Sequence, residues 1–332
     1  MVIEPENKKN RGLKLFLIAF FVSSFFSIAI NSLGKNVEDY LFFREIAKNP
    51  NIFRAQVSFE IPKKEEVKEE IEVEPDKKIL EISAKSAISV LYNPDPKNEE
   101  VIFEKESSTI LPIASLTKLM VADIILENFN LNGIVKISKN AVSQEGEMGN
   151  LKIGEELSVE NLLYIMLIES SNDAAYALSE IITPEDFVLL MNLEAKYLGM
   201  SDTYFEDPMG ISTNNQSSTK DLVILVEHLL EKPLVWEILK KPEFELKLPD
   251  GVLHHTLKNT NEILQEWGSN LEIVGGKTGY TLKANGCFVL VLRVVEDGYL
   301  INVILGSNDR FSEMKQLVDW LTAANQLPTT NY

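Results

Sequence analysis

The rhythm of apolar and polar positions divides the chain into three stretches. Residues 15–34 form a run of 20 uncharged positions rich in Phe, Leu, Ile and Val between Lys14 and Lys35. At helical rise such a run crosses the roughly 30 Å hydrocarbon core of a bilayer. Lys8, Lys9, Arg11 and Lys14 precede it, so the positive-inside rule leaves residues 1–14 in the cytoplasm and exports everything after residue 35. The expectation is an uncleaved anchor, because the apolar run continues through Ala29, Ile30 and Leu33, beyond the small-residue site Ser27-Ile28-Ala29 where a signal peptide would be cut. Residues 35–82 then read as a juxtamembrane segment and linker, in which Tyr40, Leu41, Phe43, Ile46 and Ala47 fit one side of a short interfacial helix. The part at 60–78, EIPKKEEVKEEIEVEPDKK, has too little apolar surface to offset its ordering entropy. It reads as an extended tether, with a charged amphipathic helix as the alternative.

From residue 83 the pattern is that of a folded domain. Residues 86–92 (SAISVLY) and 101–105 (VIFEK) predict strands around the turn Asn93-Pro94-Asp95-Pro96. Leu116, Leu119, Met120, Ile124 and Leu126 recur at helical spacing in a helix starting at Ser115. Helices follow from Ser158 to about 168, over 173–181, from Thr183-Pro184 to a stop at Gly199, over 217–230, and after Pro233. Strand patterns return at 272–280, 286–295 and 299–306, spaced as an antiparallel meander, and an amphipathic helix runs from about 309 to 324. The expected fold is α+β: one five-stranded antiparallel sheet flanked by helices. It occupies 83–325, with an inserted helical subdomain at about 140–265 and a tail at 326–332.

Composition narrows the chemistry. A length of 332 residues is enough for one large or two ordinary domains. With 32 basic against 50 acidic side chains and a net charge of −18, the chain lacks the basic face that nucleic-acid binding needs. Residues 83–332 hold 19 basic and 36 acidic side chains, so the surplus belongs to the folded part. The single cysteine, Cys287, excludes an intramolecular disulfide and any multi-cysteine metal site. His228, His254 and His255 form no HExxH pattern, and no metal or cofactor is expected.

Three short motifs carry the candidate chemistry. Ser115-Leu116-Thr117-Lys118 is an SxxK at a helix start. The lysine lies one turn from the serine on the same face, where it can take the hydroxyl proton, and the helix start supplies unpaired N–H groups. The spelling recurs at Ser32, Ser217 and Ser312, so alone it is weak; Ser217-Lys220 reads as a helix cap. Ser170-Ser171-Asn172 sits in a turn between helices and offers a hydroxyl and an amide, but Ser138-Lys139-Asn140 and Ser212-Thr213-Asn214 share its SxN spelling. Lys277-Thr278-Gly279 occurs once, within GGKTGYT on an expected strand. A cation, a hydroxyl and a glycine that permits close backbone approach suit a carboxylate.

Order and spacing make the set specific. SxxK, then SxN 55 residues on, then KTG 107 residues after that is the signature of penicillin-interacting serine enzymes. PIASLTKLM, LLYIMLIESSNDAAYAL, FVLLMNLEAKYLGMSDTYFEDPMGIS and GGKTGYT resemble the low-molecular-mass penicillin-binding proteins, the serine D-alanyl-D-alanine carboxypeptidases, over roughly 83–325. The resemblance implies a penicillin-binding-protein/β-lactamase-like fold and removal of the terminal D-alanine from peptidoglycan stem peptides, with β-lactams as covalent inhibitors. It implies that Ser115 attacks the penultimate D-alanine carbonyl, Lys118 is the general base and Ser170 relays protons. Asn172 would bind the substrate's peptide group. Lys277, Thr278 and Gly279 would hold the terminal carboxylate, and the backbone N–H groups of Ser115 and Tyr280 would form the oxyanion hole. For Lys118 to act near neutral pH, burial or nearby Lys277 must lower its pKa. GSNDRF resembles the stretch where the family places a carboxylate-binding arginine, pointing to Arg310, with a surface or capping arginine as the alternative.

Departures and rivals accompany this. Glu147-Met148-Gly149-Asn150 stands where the family often has a Ser-Met pair before a Gly-Glu turn. No second β domain or C-terminal anchor is expected after residue 325, so the N-terminal segment would hold the protein on the outer side of a bacterial cell membrane. Cys287 reads as a buried small residue rather than a nucleophile. A class A-like β-lactamase would need a Glu–Asn pair after SxN; Glu206 stands at a plausible position, but Asp207-Pro208-Met209-Gly210 supplies no asparagine. A D,D-endopeptidase would use the same site on cross-linked peptides. A silent peptidoglycan-binding wall factor would not need the intact motifs.

Overall fold

The computed structural model describes residues 80–323, except 96, 147–148, 249–250, 267–270 and 296–297. The expected anchor at 15–34 and the tether at 60–78 lie outside the described residues. Among the described residues no helix is long and apolar enough to cross a membrane.

The folded unit opens with β1 (Ser86–Pro94) and β2 (Lys97–Lys105), then a two-residue β3 (Leu111–Pro112), a 3-10 turn at Ala114–Leu116 and α1 (Thr117–Asn128). β4 (Ile134–Lys136) and β5 (Glu156–Ser158) pair across a long loop. α2 (Val159–Ile168), α3 (Asn172–Ser179), α4 (Pro184–Leu198), β6 (Gln216–Ser217), α5 (Thr219–Leu230) and α6 (Pro233–Leu239) fill the middle. A hairpin of β7 (Glu243–Lys247) and β8 (Leu253–Lys258) and the one-turn α7 (Ile263–Glu266) return to the sheet. β9 (Glu272–Thr281), β10 (Asn285–Val295), β11 (Gly298–Ser307) and α8 (Arg310–Ala323) complete it.

The expected helix starts hold for physical reasons visible in the sequence. Ser158, Ser171 and Thr183 each accept the N–H three residues on, satisfying donors that a helix start leaves unpaired. Gly199, at φ 84°, closes α4 in the left-handed conformation glycine adopts at low cost. Two expectations shift. The α-helix expected from Ser115 begins at Thr117, because Ala114 at φ 49° forces a tight 3-10 turn around the serine. The cap of α5 is Ser218, whose hydroxyl accepts from Asp221 N–H at 3.2 Å. Ser217 belongs to β6 and bonds the Thr203 hydroxyl at 2.7 Å.

The strand order is β2-β1-β11-β10-β9, so the N-terminal hairpin joins the C-terminal meander through β1 and β11. Their antiparallel register sets Ser89 opposite Asn302. The Ser89 hydroxyl donates to Asn302 Oδ1 at 2.7 Å inside the core, and a slip of one residue would strand both groups without a partner. Alternate side chains of β10 serve opposite faces. Phe288, Leu290 and Leu292 pack with Met314, Leu317 and Leu321 of α8, whereas Cys287, Val289 and Val291 face the core shared with α1, α2 and α5. A strand covered on both faces reads as an unbroken apolar run, as Cys287 to Leu292 does.

Candidate active site

The tight turn at Ala114 is held from two sides. A Cβ on Gly210 would lie 2.1 Å from the Ala114 carbonyl oxygen, and one on Gly279 would lie 3.0 Å from the Ser115 nitrogen. Both positions need glycine because backbone fills the space that a side chain would take. The third residue of KTG is therefore explained by packing: it lets the end of β9 lie against the Ser115 amide.

One turn beyond Ser115, the Lys118 side chain is fully buried. Its Nζ donates to Ser115 Oγ at 2.9 Å, to Asn172 Oδ1 at 2.8 Å and to the Met209 carbonyl at 2.6 Å. Ser170, at φ 62°, turns its Oγ to accept from Lys277 Nζ at 2.8 Å, and Lys277, also buried, donates to the Thr278 carbonyl at the same distance. Thr278 bonds the Thr260 hydroxyl at 2.7 Å. Two lysines, two serines and an asparagine from three segments thus build a network of two adjoining parts, one centred on Lys118 and one on Lys277. The labour within Ser170-Ser171-Asn172 is divided: Ser171 caps α3, while its two neighbours turn to the cleft.

A cavity of about 330 Å³ opens over this network, lined by Ser115, Ser170, Asn172, Thr278, Gly279, Tyr280 and Arg310, among others. The Arg310 guanidinium stands 6.0 Å from the Tyr280 ring and 4.6 Å from that of Phe311, so the side chain borders the cleft. Every site residue expected from the sequence is therefore at this cleft or directly beneath it.

The sequence did not disclose the residues that support Lys118 from the far side. Asp207 Oδ1 accepts from Met209 N–H at 2.7 Å and Gly210 N–H at 2.6 Å, and its Oδ2 accepts from Ser212 N–H at 2.7 Å. Buried Asn215 accepts from the Glu206 and Asp207 amides and donates to Thr117 Oγ1 at 3.1 Å. Together they fold the loop so that the Met209 carbonyl meets Lys118. Thr260, Glu145, Gly146, Ile211 and Thr281 also line the cavity. The Asp-Pro-Met-Gly run was the available signal for the first group; no local pattern marked the second.

Competing motifs resolve as structural. Ser138 Oγ accepts from Ala141 N–H at 2.9 Å, and Ser212 and Asn214 bond Glu206. Those bonds, Ser212's first, hold the Glu206 carboxyl below its ordinary pKa, and Glu206 is not among the lining residues. Burial pushes the Cys287 thiol up to about 12, so it is no thiolate nucleophile. Burial likewise raises Asp173, which follows Asn172, to about 6.

Comparison with known proteins finds D-alanyl-D-alanine peptidases. The chain is 28% identical over 237 residues to the D-alanyl-D-alanine endopeptidase of Pseudomonas aeruginosa, covering 68% of this chain and 74% of that one. It is 32% identical over 224 residues to the D-alanyl-D-alanine carboxypeptidase DacF of Bacillus subtilis, covering 64% and 55%. The crystal structure of the Streptomyces K15 DD-transpeptidase superposes with a TM-score of 0.65 at 25% identity, over 73% of this chain and 98% of that one. Residues 70–309 match the Peptidase S11 family, described as D-alanyl-D-alanine carboxypeptidase, and the chain belongs to that family of serine peptidases.

Proposed function

We propose that the protein removes the terminal D-alanine from peptidoglycan stem peptides through an acyl-enzyme at Ser115. The observation that carries this reading is the hydrogen bond between Lys118 Nζ and Ser115 Oγ at 2.9 Å beneath an open cleft. In its neutral form Lys118 takes the hydroxyl proton as Oγ bonds to the penultimate D-alanine carbonyl carbon. The Ser115 and Tyr280 N–H groups receive the oxyanion. The C–N bond then breaks, and D-alanine leaves with a proton delivered through Ser170, which Lys277 orients. Water enters, Lys118 takes its proton, and ester hydrolysis restores the serine. Thr278, Lys277 and Arg310 hold the terminal carboxylate, a charge-assisted contact. Asn172 gives one amide hydrogen to the Glu145 carbonyl at 2.6 Å and keeps the second for the substrate's peptide group.

β-Lactams acylate the same serine. Fluorescent penicillin is expected to label the wild type but not Ser115→Ala, with D-alanine release lost in parallel. Labelling that persists in Ser115→Ala removes the nucleophile assignment. A second reading, cleavage of cross-linked peptides, is supported by the similarity, at 28% identity, to two D-alanyl-D-alanine endopeptidases. Muropeptide digestion separates the two, since an endopeptidase converts dimers to monomers.

The uncharged run at 15–34 and its basic flank support a single-pass anchor with the catalytic unit on the outer side of the membrane. Full-length protein recovered in the alkaline-washed membrane fraction and sensitive to external protease is the expected result; a soluble, full-length product contradicts it.

A further inference from the structure

Two formally charged residues line the cavity, and they have opposite signs: Arg310 and Glu145. Arg310 stands beside Tyr280 and Thr278 at the KTG end, where the substrate's carboxylate lies in the proposed mechanism. Glu145 stands at the Asn172 end, fixed there by its own backbone. Its carbonyl accepts from Asn172 Nδ2 at 2.6 Å. Gly146, at φ 98°, leaves room for that approach, because a Cβ there would lie 2.7 Å from Asn172 Nδ2. The Glu145 carboxylate is exposed and forms no ion pair among the described residues. The cleft is therefore dipolar, positive where the leaving D-alanine sits and negative along the acyl side.

We propose that Glu145 is a specificity residue, selecting stem peptides whose acyl side carries a free amine. This rests on the carboxypeptidase reading above. A peptide that threads from the KTG end past Asn172 brings the side chain preceding its D-alanyl pair toward Glu145. An ammonium there meets the carboxylate of a residue whose backbone carbonyl is fixed by the Asn172 amide. The acidic surplus of residues 83–332, 36 acidic against 19 basic, draws such a cation in the same direction.

The test compares Nα-acetyl-L-Lys-D-Ala-D-Ala with the same peptide acetylated on both amines. At low ionic strength the wild type is expected to favour the free amine by about fivefold in kcat/KM, the scale of one solvent-exposed ion pair. Glu145→Gln should bring the ratio near one, and Glu145→Lys should invert it, while 0.5 M salt flattens the wild-type ratio. A wild-type ratio near one, or a preference that survives Glu145→Gln, overturns the proposal and leaves the carboxypeptidase reading intact. Acylation by penicillin with neither peptide hydrolysed overturns both.

Discussion

Two lysine environments in this molecule differ in what surrounds the ammonium. Lys118 is buried and donates to a hydroxyl, an amide and a backbone carbonyl. Lys232, just beyond α5, faces two carboxylates, Asp123 of α1 and Glu127 one turn further on. Burial works against the charge of Lys232, but its hydrogen bonds to the two carboxylates and their charges outweigh it and raise its pKa. The two carboxylates hold Lys232 as a cation, whereas in the proposed mechanism Lys118 exchanges a proton with Ser115 Oγ, 2.9 Å away.

The largest effect expected from this contrast is in activity. Lys118→Met should lower the penicillin acylation rate by about 10³-fold, within the span of general-base contributions, with little change in melting temperature. Lys232→Met should do the reverse: it leaves buried Asp123 with His228 Nε2 at 3.2 Å and the Glu194 carboxyl nearby, and costs about 3 kcal/mol of stability with catalysis retained. If both variants lose activity equally, or both lose stability equally, the contrast fails.

Asp207→Ala sharpens the comparison, because it removes the acceptor for the amides that position the Met209 carbonyl. Asp207 is a positioning residue, so acylation should fall about tenfold to a hundredfold while a partial rescue appears in Asp207→Asn, which retains one acceptor oxygen. Next in size is Arg310→Ala. It should raise KM for D-alanyl peptides by about tenfold, the loss of one charge-assisted contact, and unchanged peptide turnover would remove Arg310 from the site.

The smallest effect concerns pH. Burial raises Asp173 from its ordinary 3.8 to about 6, so its contribution to stability is present below pH 3.8 and lost as pH rises through 6. Asp173→Asn should lack that loss, giving a higher melting temperature than wild type at pH 7 and a difference that narrows toward pH 4. A difference constant across this range contradicts the assignment.

Legibility followed periodicity and strict spacing. β10 and β11 were readable because both faces are buried, and the helix starts because their caps are chemically distinctive. The three motifs were readable as an ordered set, though each spelling occurs elsewhere or has a bland alternative; only the fold showed that Ser138, Ser212 and Ser217 serve loops and strands. Three features stayed hidden. The β7–β8 hairpin has weak alternation, with Phe244 half-buried and Leu253 exposed. The Asp207–Asn215 loop is held by side-chain to backbone bonds that have no period. Glu145 reaches the cleft through a backbone carbonyl, which leaves no mark on residue type.

The most direct test of the central claim is peptide mapping after acylation by benzylpenicillin. Trypsin should release residues 106–118, and fragmentation should place the penicilloyl group on Ser115 rather than Ser107 or Ser108. An adduct on Ser170 or any other residue, or an unlabelled wild-type protein, would contradict the account.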